Sequence, residues 1–391
     1  APLGLYVMGL HKITAGTGYD YLTRQVAAQD STEKGHTGLA SYYTERGETP
    51  GVWLGSGMAG IEGLDAGDAV TAEQMQALFG SGHHPLAGAR GAALPLDASV
   101  AQIREATRLG QPFRVYEHDI PEFRVAVAEA CAAYNRNQGV PEGRSVPSEV
   151  RAAIRTRIGR DMFRAEKGRD PLDARELAGH IAKLSRPQTT AVAGFDLTFS
   201  PVKSVSTLWA LAEPDVAAKI EIAHRAAISD ALRFIETHAL FSRTGTNGVR
   251  QVNVRGLVAT AFTHRDSRAG DPDLHTHVAV ANKVQTLDGR WLSIDGRPLY
   301  KAIVATSEMY NTSLERHLSD ALGVQFAERP STEPGKRPVR EIAGVDPELN
   351  RRWSARRLSI ERRQGQLAAA FQADHGRPPT IIEARVLAQQ A

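Results

Sequence analysis

Three histidines lie close together in one stretch of the chain. His264 is followed by His275 and His277, and the last two form the pattern His-x-His. Alternate residues of a β-strand point to the same face, so His275 and His277 would share one face. His264, on a partner strand, can turn toward them. Three imidazoles that converge on one point predict a divalent metal site with open coordination positions, and open positions favour a catalytic role.

The residues on both sides of these histidines have the composition of β-strands. Residues 254–262 precede them and residues 278–284 follow, both rich in small and β-branched side chains. Between the strands lies Ala-Gly-Asp-Pro, which is a turn signal. The pattern predicts an antiparallel hairpin. The alternative to a metal site is a pair of exposed strand histidines that bind nothing. The hairpin sequence does not distinguish the two, so motifs elsewhere in the chain are needed.

Tyrosines are crowded near the start of the chain. Five of its nine tyrosines fall in the first 43 residues, including Tyr19, Tyr21, Tyr42 and Tyr43. Tyr19 and Tyr21 follow a short predicted strand and flank the start of a predicted helix. Such tyrosines are more often half-buried packing residues than nucleophiles. Their crowding becomes informative only together with the histidines.

Composition limits the class of protein. The chain has 391 residues, 42% of them hydrophobic, which is enough for a sizeable core. Its formal net charge of +3 and pI of about 9.0 allow a nucleic-acid partner without demanding one. A single cysteine, Cys131, cannot form a disulfide framework. No apolar run reaches the ~18 residues of a membrane span, and there is no secretory signal. We expect a cytoplasmic protein with no membrane insertion.

The order of predicted elements gives the fold class. A strand at 191–200 and two helices up to His238 precede a run of antiparallel strands, and a long helix follows at 298–322. We predict an α+β fold with a central antiparallel β-sheet that carries the three-histidine site and helices packed on its faces. A mostly helical insertion over 98–190 and a helical C-terminal region complete the prediction.

Two predicted helices are rich in arginine. One contains Arg155, and the other contains Arg356 and Arg357 within the C-terminal region. An arginine-rich helix face is usually only solvated, but it can also contact phosphates. These arginines, together with Lys203 after the strand at 191–200, are candidate contacts for the phosphates of a nucleic acid.

Three separate motifs occur in the order that is found in a known protein family. Residues 194–206 read Gly-Phe-Asp-Leu-Thr-Phe-Ser-Pro-Val-Lys-Ser-Val-Ser, the three histidines follow, and the tyrosines precede both. This combination closely resembles the conjugative relaxases of the TraI/TrwC type, the MobF class of the HUH endonuclease superfamily. The resemblance covers about residues 10–300. Two departures are Pro-Val-Lys, where Ala-Pro-Lys is commoner, and Asp20, which separates Tyr19 from Tyr21.

The resemblance implies an activity and roles for named residues. The activity is site- and strand-specific nicking and rejoining of single-stranded DNA at a plasmid transfer origin, through a covalent 5′-phosphotyrosine. Tyr19 or Tyr21 would make the cut, with Tyr21 favoured because it continues into the helix. Asp196 would orient a metal-bound histidine. Tyr42 or Tyr43 would act in a later strand transfer.

The resemblance also implies a cofactor, partners and domain limits. The cofactor would be a divalent metal ion: Mg, Mn or Zn. The partners would be single-stranded DNA and a DNA hairpin at the transfer origin, accessory relaxosome proteins and a secretion-system coupling protein. We predict a relaxase domain over 1–345 and an Arg-rich helical extension over 346–391 that leads to a further domain. The alternatives are a rolling-circle replication initiator or transposase with the same chemistry, and a non-catalytic DNA-binding module.

Overall fold

The structure, a computed structural model, describes most of the chain. The described residues are 8–24, 50–116, 121–185, 190–267, 270–329 and 338–388. They divide into two compact units, one within Arg114–Ala191 and one within Ala1–Phe113 and Val192–Ala391. The prediction of one domain over 1–345 with an extension over 346–391 stays a prediction.

The larger unit is built on a five-stranded antiparallel sheet. The strands in chain order are β1 (Met8–Thr14), β2 (Val52–Leu54), β3 (Val192–Phe199), β4 (Phe241–Thr244), β5 (Arg250–Asn253), β6 (Ala259–Asp266), β7 (Pro272–Ala281), β8 (Val284–Gln285), β9 (Trp291–Leu292), β10 (Phe326–Glu328) and β11 (Arg340–Ile342). The central sheet has the order β1-β3-β7-β6-β2, and the remaining strands form two-stranded pairs. The strands that carry Asp196 and the three histidines are therefore neighbours.

The helices belong partly to this larger unit and partly to the second unit. In chain order they are α1 (Asp20–Arg24), α2 (Ala72–Met75, continued as a π-helix over Gln76–Ser81), α3 (Ala87–Ala92), α4 (Val100–Thr107), α5 (Glu122–Asn137), α6 (Ser148–Lys167), α7 (Ala174–Leu184), α8 (Lys203–Leu211), α9 (Pro214–His238), α10 (Gly296–Leu322), α11 (Pro347–Arg352), α12 (Ala355–His375) and α13 (Ile381–Ala388). The predicted α+β fold with a central antiparallel sheet is confirmed. No helix in the described ranges is long and apolar enough to cross a membrane.

One face of the sheet packs against α9 and α10. Phe195, Leu197 and Phe199 of β3 alternate with residues of the opposite face and are almost fully buried, as are Val278 and Val280 of β7. Burial of each such side chain contributes about 1.5–3 kcal/mol before the cost of ordering the chain. This apolar face fixes the strand register, because a slip by one residue would turn every side chain to the other face.

The other face is partly covered by α1 and α2. Leu22, Met75 and Phe79 are fully buried there. Gly194 of β3 allows this cover to approach, because a Cβ at Gly194 would lie 2.9 Å from the Phe79 ring and 2.4 Å from the Val280 carbonyl oxygen. The glycine that opens the Gly-Phe-Asp-Leu-Thr-Phe-Ser motif is therefore a packing requirement.

Helix ends follow the signals in the sequence. Thr71 and Gln74 form a capping box at the start of α2, because each side chain accepts a hydrogen bond from the other residue's backbone N–H. At the end of α10, Gly323 adopts the left-handed conformation with φ of 68°. We also expect from the sequence that His83 and His84 are solvent-exposed. For His84 this is wrong, since only 4% of its surface is exposed.

The second unit contains α5, α6 and α7. Phe123 and Val127 of α5 and Ile154 of α6 form its core. Gly159 lets α7 approach α6 closely, because a Cβ there would lie 2.3 Å from the Ile181 side chain. Residues 114–191 contain 14 Lys and Arg but 11 Asp and Glu, so the whole formal excess of +3 lies in this segment.

Candidate active site

The hairpin of β6 and β7 brings the three histidines together. His264 lies directly opposite His275 in the register, and His277 lies opposite Phe262. Residues directly opposite and two apart share a face, so all three imidazoles project from the same side of the sheet. One nitrogen from each ring lies within 4.8 Å of the other two, and the ring centroids are 5.2–5.3 Å apart. The predicted three-histidine cluster is present.

Hydrogen bonds leave the inner nitrogens available. His275 Nδ1 lies 2.7 Å from the Asp273 carbonyl oxygen, and His277 Nδ1 lies 2.9 Å from Asp196 Oδ2. A proton on each Nδ1 places the lone pair on Nε2. His264 Nε2 is buried and has no hydrogen-bond partner among the described residues. An orphaned buried nitrogen is costly unless a ligand satisfies it, so the cluster fits a divalent metal ion.

Burial favours the neutral forms of His264 and His275. Burial lowers the pKa of His264 to about 3, and the charged forms of His275 and His277 act in the same direction. Burial also lowers the pKa of His275, although the Asp273 carbonyl and carboxylate act against it. Only a neutral imidazole has a lone pair for a metal, so a low pKa prepares these residues as ligands at neutral pH.

Asp196 connects the histidine cluster to a tyrosine. The Tyr21 hydroxyl donates to Asp196 Oδ2 at 2.6 Å, and the same oxygen accepts from His277 Nδ1. Asp196 is only 2% exposed. Strand register explains the contact, since Asp196 and Thr198 of β3 lie on the histidine face and Thr198 pairs with His277. The structure thus brings the predicted tyrosine, the predicted aspartate and the metal cluster into one hydrogen-bonded group.

Tyr21 is held as a protonated phenol. Burial raises its pKa well above the usual value of 10, and the charge of Asp196 and the hydrogen bond to it act in the same direction. A phenolate is a better nucleophile than a phenol, so an attack by Tyr21 would require transfer of its proton to a base. Asp196 Oδ2, which accepts from the Tyr21 hydroxyl at 2.6 Å, lies within reach of that proton. A metal cation nearby would favour the phenolate and oppose the effect of burial.

A tight turn fixes the position of Tyr21 over the sheet. The turn links β1 to α1, and Gly16 N donates to the Gly80 carbonyl at 2.9 Å. Gly18 packs directly on the end of β1, since a Cβ there would lie 2.2 Å from the Thr14 carbonyl oxygen. Leu22, next to Tyr21 on α1, is fully buried. The backbone that carries Tyr21 is therefore held on both sides of this residue.

The structure describes one other predicted tyrosine, Tyr19. The Tyr19 ring lies beside Gly80, with its Cε1 3.6 Å from the position of a Cβ on that glycine. Tyr42 and Tyr43 lie outside the described residues. Their roles, and the role of Tyr21 as the nucleophile, stay predictions.

The predicted DNA-binding residues lie in different surroundings. Lys203 Nζ donates to the Pro272 carbonyl at 2.5 Å, at the start of β7, and burial lowers the pKa of this lysine. Arg155 donates to Ser185 Oγ at 3.0 Å and lies over the Phe123 ring within the second unit. The side chains of Arg356 and Arg357 lie outside the described residues. These DNA contacts stay predictions.

Two contributors to the site are not identified from the sequence. Thr198 Oγ1 lies 3.2 Å from His277 Nδ1 and 3.4 Å from Asp196 Oδ2. The Asp273 carbonyl orients His275. Thr198 is two residues after Asp196 on a strand, and this spacing is a signal that could have found it. A backbone carbonyl leaves no such signal in a sequence.

Comparisons with known proteins agree on one family. The model of the family described as TrwC relaxase matches residues 15–390. Two curated relatives, each named multifunctional conjugation protein TraI, come from Escherichia coli and from its strain K12. They are 32% and 31% identical over 186 residues, which are 45% of this chain and 10% of each relative. The chain thus spans about a tenth of the length of these relatives.

A similar solved structure has been described as conjugative relaxase TrwC in complex with OriT DNA. It is 19% identical to this chain, with a TM-score of 0.49, over 98% of this chain and 90% of that chain.

Proposed function

The chain belongs to the TrwC relaxase family, and we propose that it nicks and rejoins single-stranded DNA at a plasmid transfer origin through a covalent bond to Tyr21. One observation carries the proposal. A buried carboxylate, Asp196, accepts hydrogen bonds both from the Tyr21 hydroxyl and from a histidine of the three-histidine cluster. Nucleophile, base and metal ligand are thereby joined in one group, which is the arrangement that activated nucleophiles share.

The reaction is a transesterification at phosphorus. Tyr21 Oη attacks the scissile phosphate, and its proton passes to Asp196 over the 2.6 Å hydrogen bond. The new bond joins Oη to phosphorus, and the bond from phosphorus to the 3′ oxygen breaks. The leaving strand takes up a proton and ends in a 3′ hydroxyl, while the 5′ phosphate stays on Tyr21. The reverse reaction rejoins the strand without an external energy source.

Each residue around the phosphate has a separate task. A divalent ion held by His264, His275 and His277 would supply Lewis-acid polarisation of the phosphate oxygens. Asp196 and the Asp273 carbonyl fix the tautomers of His277 and His275, so their Nε2 atoms remain aimed at the cluster. The identity of the ion remains open among Mg, Mn and Zn.

The finer parts of the proposal rest on the family. We propose that Tyr42 or Tyr43 serves a later strand transfer, and that the DNA includes a hairpin next to the nick. We place the reaction in the cytoplasm, with accessory relaxosome proteins and a secretion-system coupling protein as partners. Membership in the TrwC relaxase family favours this function over a rolling-circle initiator, a transposase or a non-catalytic DNA-binding module.

The direct test is incubation of the chain with single-stranded oligonucleotides that span candidate transfer origins. We expect metal-dependent cleavage at one position of one strand, with a protein–DNA adduct. Cleavage of replication-origin oligonucleotides alone would favour the initiator, and binding without cleavage would favour the non-catalytic module.

Asp196→Asn is expected to lower metal affinity or nicking by roughly 10–100-fold without unfolding the protein, because a neutral amide accepts more weakly from His277 and cannot take the Tyr21 proton. The matched control is Asp273→Asn, since His275 is held mainly by the backbone oxygen of that residue. Nicking rates and metal titrations of both variants test this. Equal activity of Asp196→Asn and Asp273→Asn would contradict the role of Asp196.

DNA binding is expected to weaken with salt, with a slope of about 0.7 per phosphate contact for a single strand. Arg157 and Arg160 of α6 are exposed and make no hydrogen bond or ion pair with described residues, whereas Arg155 is held by Ser185. We expect Arg157→Gln with Arg160→Gln to reduce the slope by roughly 1.4. Lys219→Gln on α9, also exposed, is the control. An unchanged slope would remove α6 from the DNA interface.

A further inference from the structure

A buried chain of hydrogen bonds lies on the face of the sheet opposite the histidine cluster. His224 of α9 has 0% of its surface exposed. Its Nε2 is 2.8 Å from Thr276 Oγ1, and its Nδ1 is 2.8 Å from the Tyr310 hydroxyl. Thr276 Oγ1 in turn is 2.9 Å from Thr263 Oγ1. This series of hydrogen bonds therefore links α10 through α9 to β7 and β6.

The direction of these hydrogen bonds follows from their partners. Burial lowers the pKa of His224 to about 3, so the ring is neutral and has one donor and one acceptor. The buried Tyr310 hydroxyl has no hydrogen-bond partner other than His224 among the described residues, so it donates to Nδ1. Nε2 then donates to Thr276, and the Thr276 and Thr263 hydroxyls form a hydrogen bond with each other.

Both threonines are adjacent in sequence to the metal ligands. Thr276 lies between His275 and His277, and Thr263 directly precedes His264. The two threonines are opposite each other in the register, one step from the pair formed by His264 and His275. Their hydroxyls point away from the cluster, because neighbouring strand residues face opposite sides. A shift of either threonine would nevertheless move the adjacent histidines with it.

Helix α9 makes a second polar contact with the same strands. Glu221 accepts from Arg265 Nε at 3.0 Å and from Arg265 Nη2 at 2.9 Å, in a bidentate pair that is largely buried. Arg265 directly follows His264. Glu221 and His224 are three residues apart and lie on the same side of the helix. One turn of α9 thus contacts β6 at the residue after His264, and it contacts β7 at the residue between His275 and His277.

We propose that α9 positions the metal ligands from behind the sheet, with His224 acting through Thr276 as a positioning residue. The inference rests on the proposed metal-dependent function and extends it to residues that never touch the ion. Hydrogen bonds in a buried, low-dielectric place are strong and directional, so the network restricts how the two strands can slide or twist. Metal affinity depends on such restriction, because three separate imidazoles must be held at one spacing.

The competing explanation is that these residues only fill the core, and a matched pair of variants separates the two. Thr276→Val keeps the branched shape and favours a strand, but it loses the hydroxyl. Thr276→Ser keeps the hydroxyl but loses a methyl group and strand preference. If Thr276 only fills the core, the valine variant should be more stable than the serine variant and should bind metal at least as tightly. If Thr276 positions the metal ligands, the serine variant should bind metal more tightly than the valine variant.

The test is titration of the full chain with Zn²⁺ in a calorimeter, together with the free energy of unfolding of the metal-free proteins. We expect Thr276→Val to bind Zn²⁺ roughly tenfold more weakly, as when an outer hydrogen-bond partner of a site is removed, and Thr276→Ser to remain close to wild type. Ile235→Val is the control, because Ile235 is buried on α9 away from the network. It should lower stability without changing Zn²⁺ affinity.

Several results would overturn the inference. They are wild-type affinity in Thr276→Val, equal weakening in Thr276→Ser, and equal weakening in the Ile235→Val control. If Thr276→Val does not fold, Thr263→Val is used in its place. It removes the hydrogen bond between Thr276 and Thr263, and its Zn²⁺ affinity is interpreted in the same way. Wild-type protein that binds no Zn²⁺, Mn²⁺ or Mg²⁺ would overturn the proposed function as well, so the two failures are distinguishable.

Discussion

Replacement of Tyr21 by phenylalanine is expected to reduce the nicking rate at least roughly a thousandfold, the scale of losing a nucleophile. The substitution removes one oxygen and keeps the ring that lies 6.2 Å from His277. It also leaves the Asp196 carboxylate with two of its three side-chain donors, Thr198 and His277. Single-turnover cleavage of a labelled single-stranded oligonucleotide measures the effect.

Tyr19→Phe is the matched control for this prediction. Tyr19 is two residues away on the same turn, and its ring lies beside Gly80. We expect its nicking rate to remain near that of the wild type. Normal adduct formation by Tyr21→Phe, with loss in Tyr19→Phe or Tyr42→Phe, would show that the nucleophile has been assigned to the wrong residue.

Removal of the metal is expected to have the second large effect. Chelation, or His275→Ala, should reduce nicking by roughly a hundredfold or more, the scale found when one charge-stabilising group leaves an active site. His275 is mostly buried in the cluster, and no other described group replaces its nitrogen there. Titration with metal should show weaker binding in His275→Ala.

The control for the metal prediction is His238→Ala. His238 is exposed at the end of α9, on the side of the sheet opposite the cluster. Its loss should change neither metal affinity nor nicking. Full cleavage by the wild type in excess chelator would contradict the metal-dependent mechanism.

The histidine cluster could be predicted because its signals are local. Alternation along a strand puts His275 and His277 on one face whatever surrounds them, and a turn between two apolar segments predicts the partner strand. The pairing of β3 with β7 is not local, since Asp196 and His277 are far apart in the chain. For Asp196, resemblance to a family supplied what spacing could not.

The supports of the site could not be predicted in the same way. His224 lies in an amphipathic helix, where a lone histidine on the buried side is usually a satisfied core residue. Only the packing of α9 on the sheet shows that its two nitrogens reach Tyr310 and Thr276. His84 is a residue for which the sequence predicts exposure, because its neighbours are rich in glycine. The structure instead buries it, with hydrogen bonds to Leu86 and Arg90.

The most direct test of the central claim is the mass of the peptide that carries the DNA. After reaction with a single-stranded oligonucleotide and metal, nuclease and trypsin would leave a nucleotide on one peptide. Cleavage after Lys12 and Arg24 isolates a peptide with Tyr19 and Tyr21, and cleavage after Lys34 and Arg46 isolates one with Tyr42 and Tyr43. Fragmentation should place the phosphate on Tyr21. A phosphate on Tyr19, Tyr42 or Tyr43 in the nicking reaction, or cleavage with no adduct at all, would contradict it.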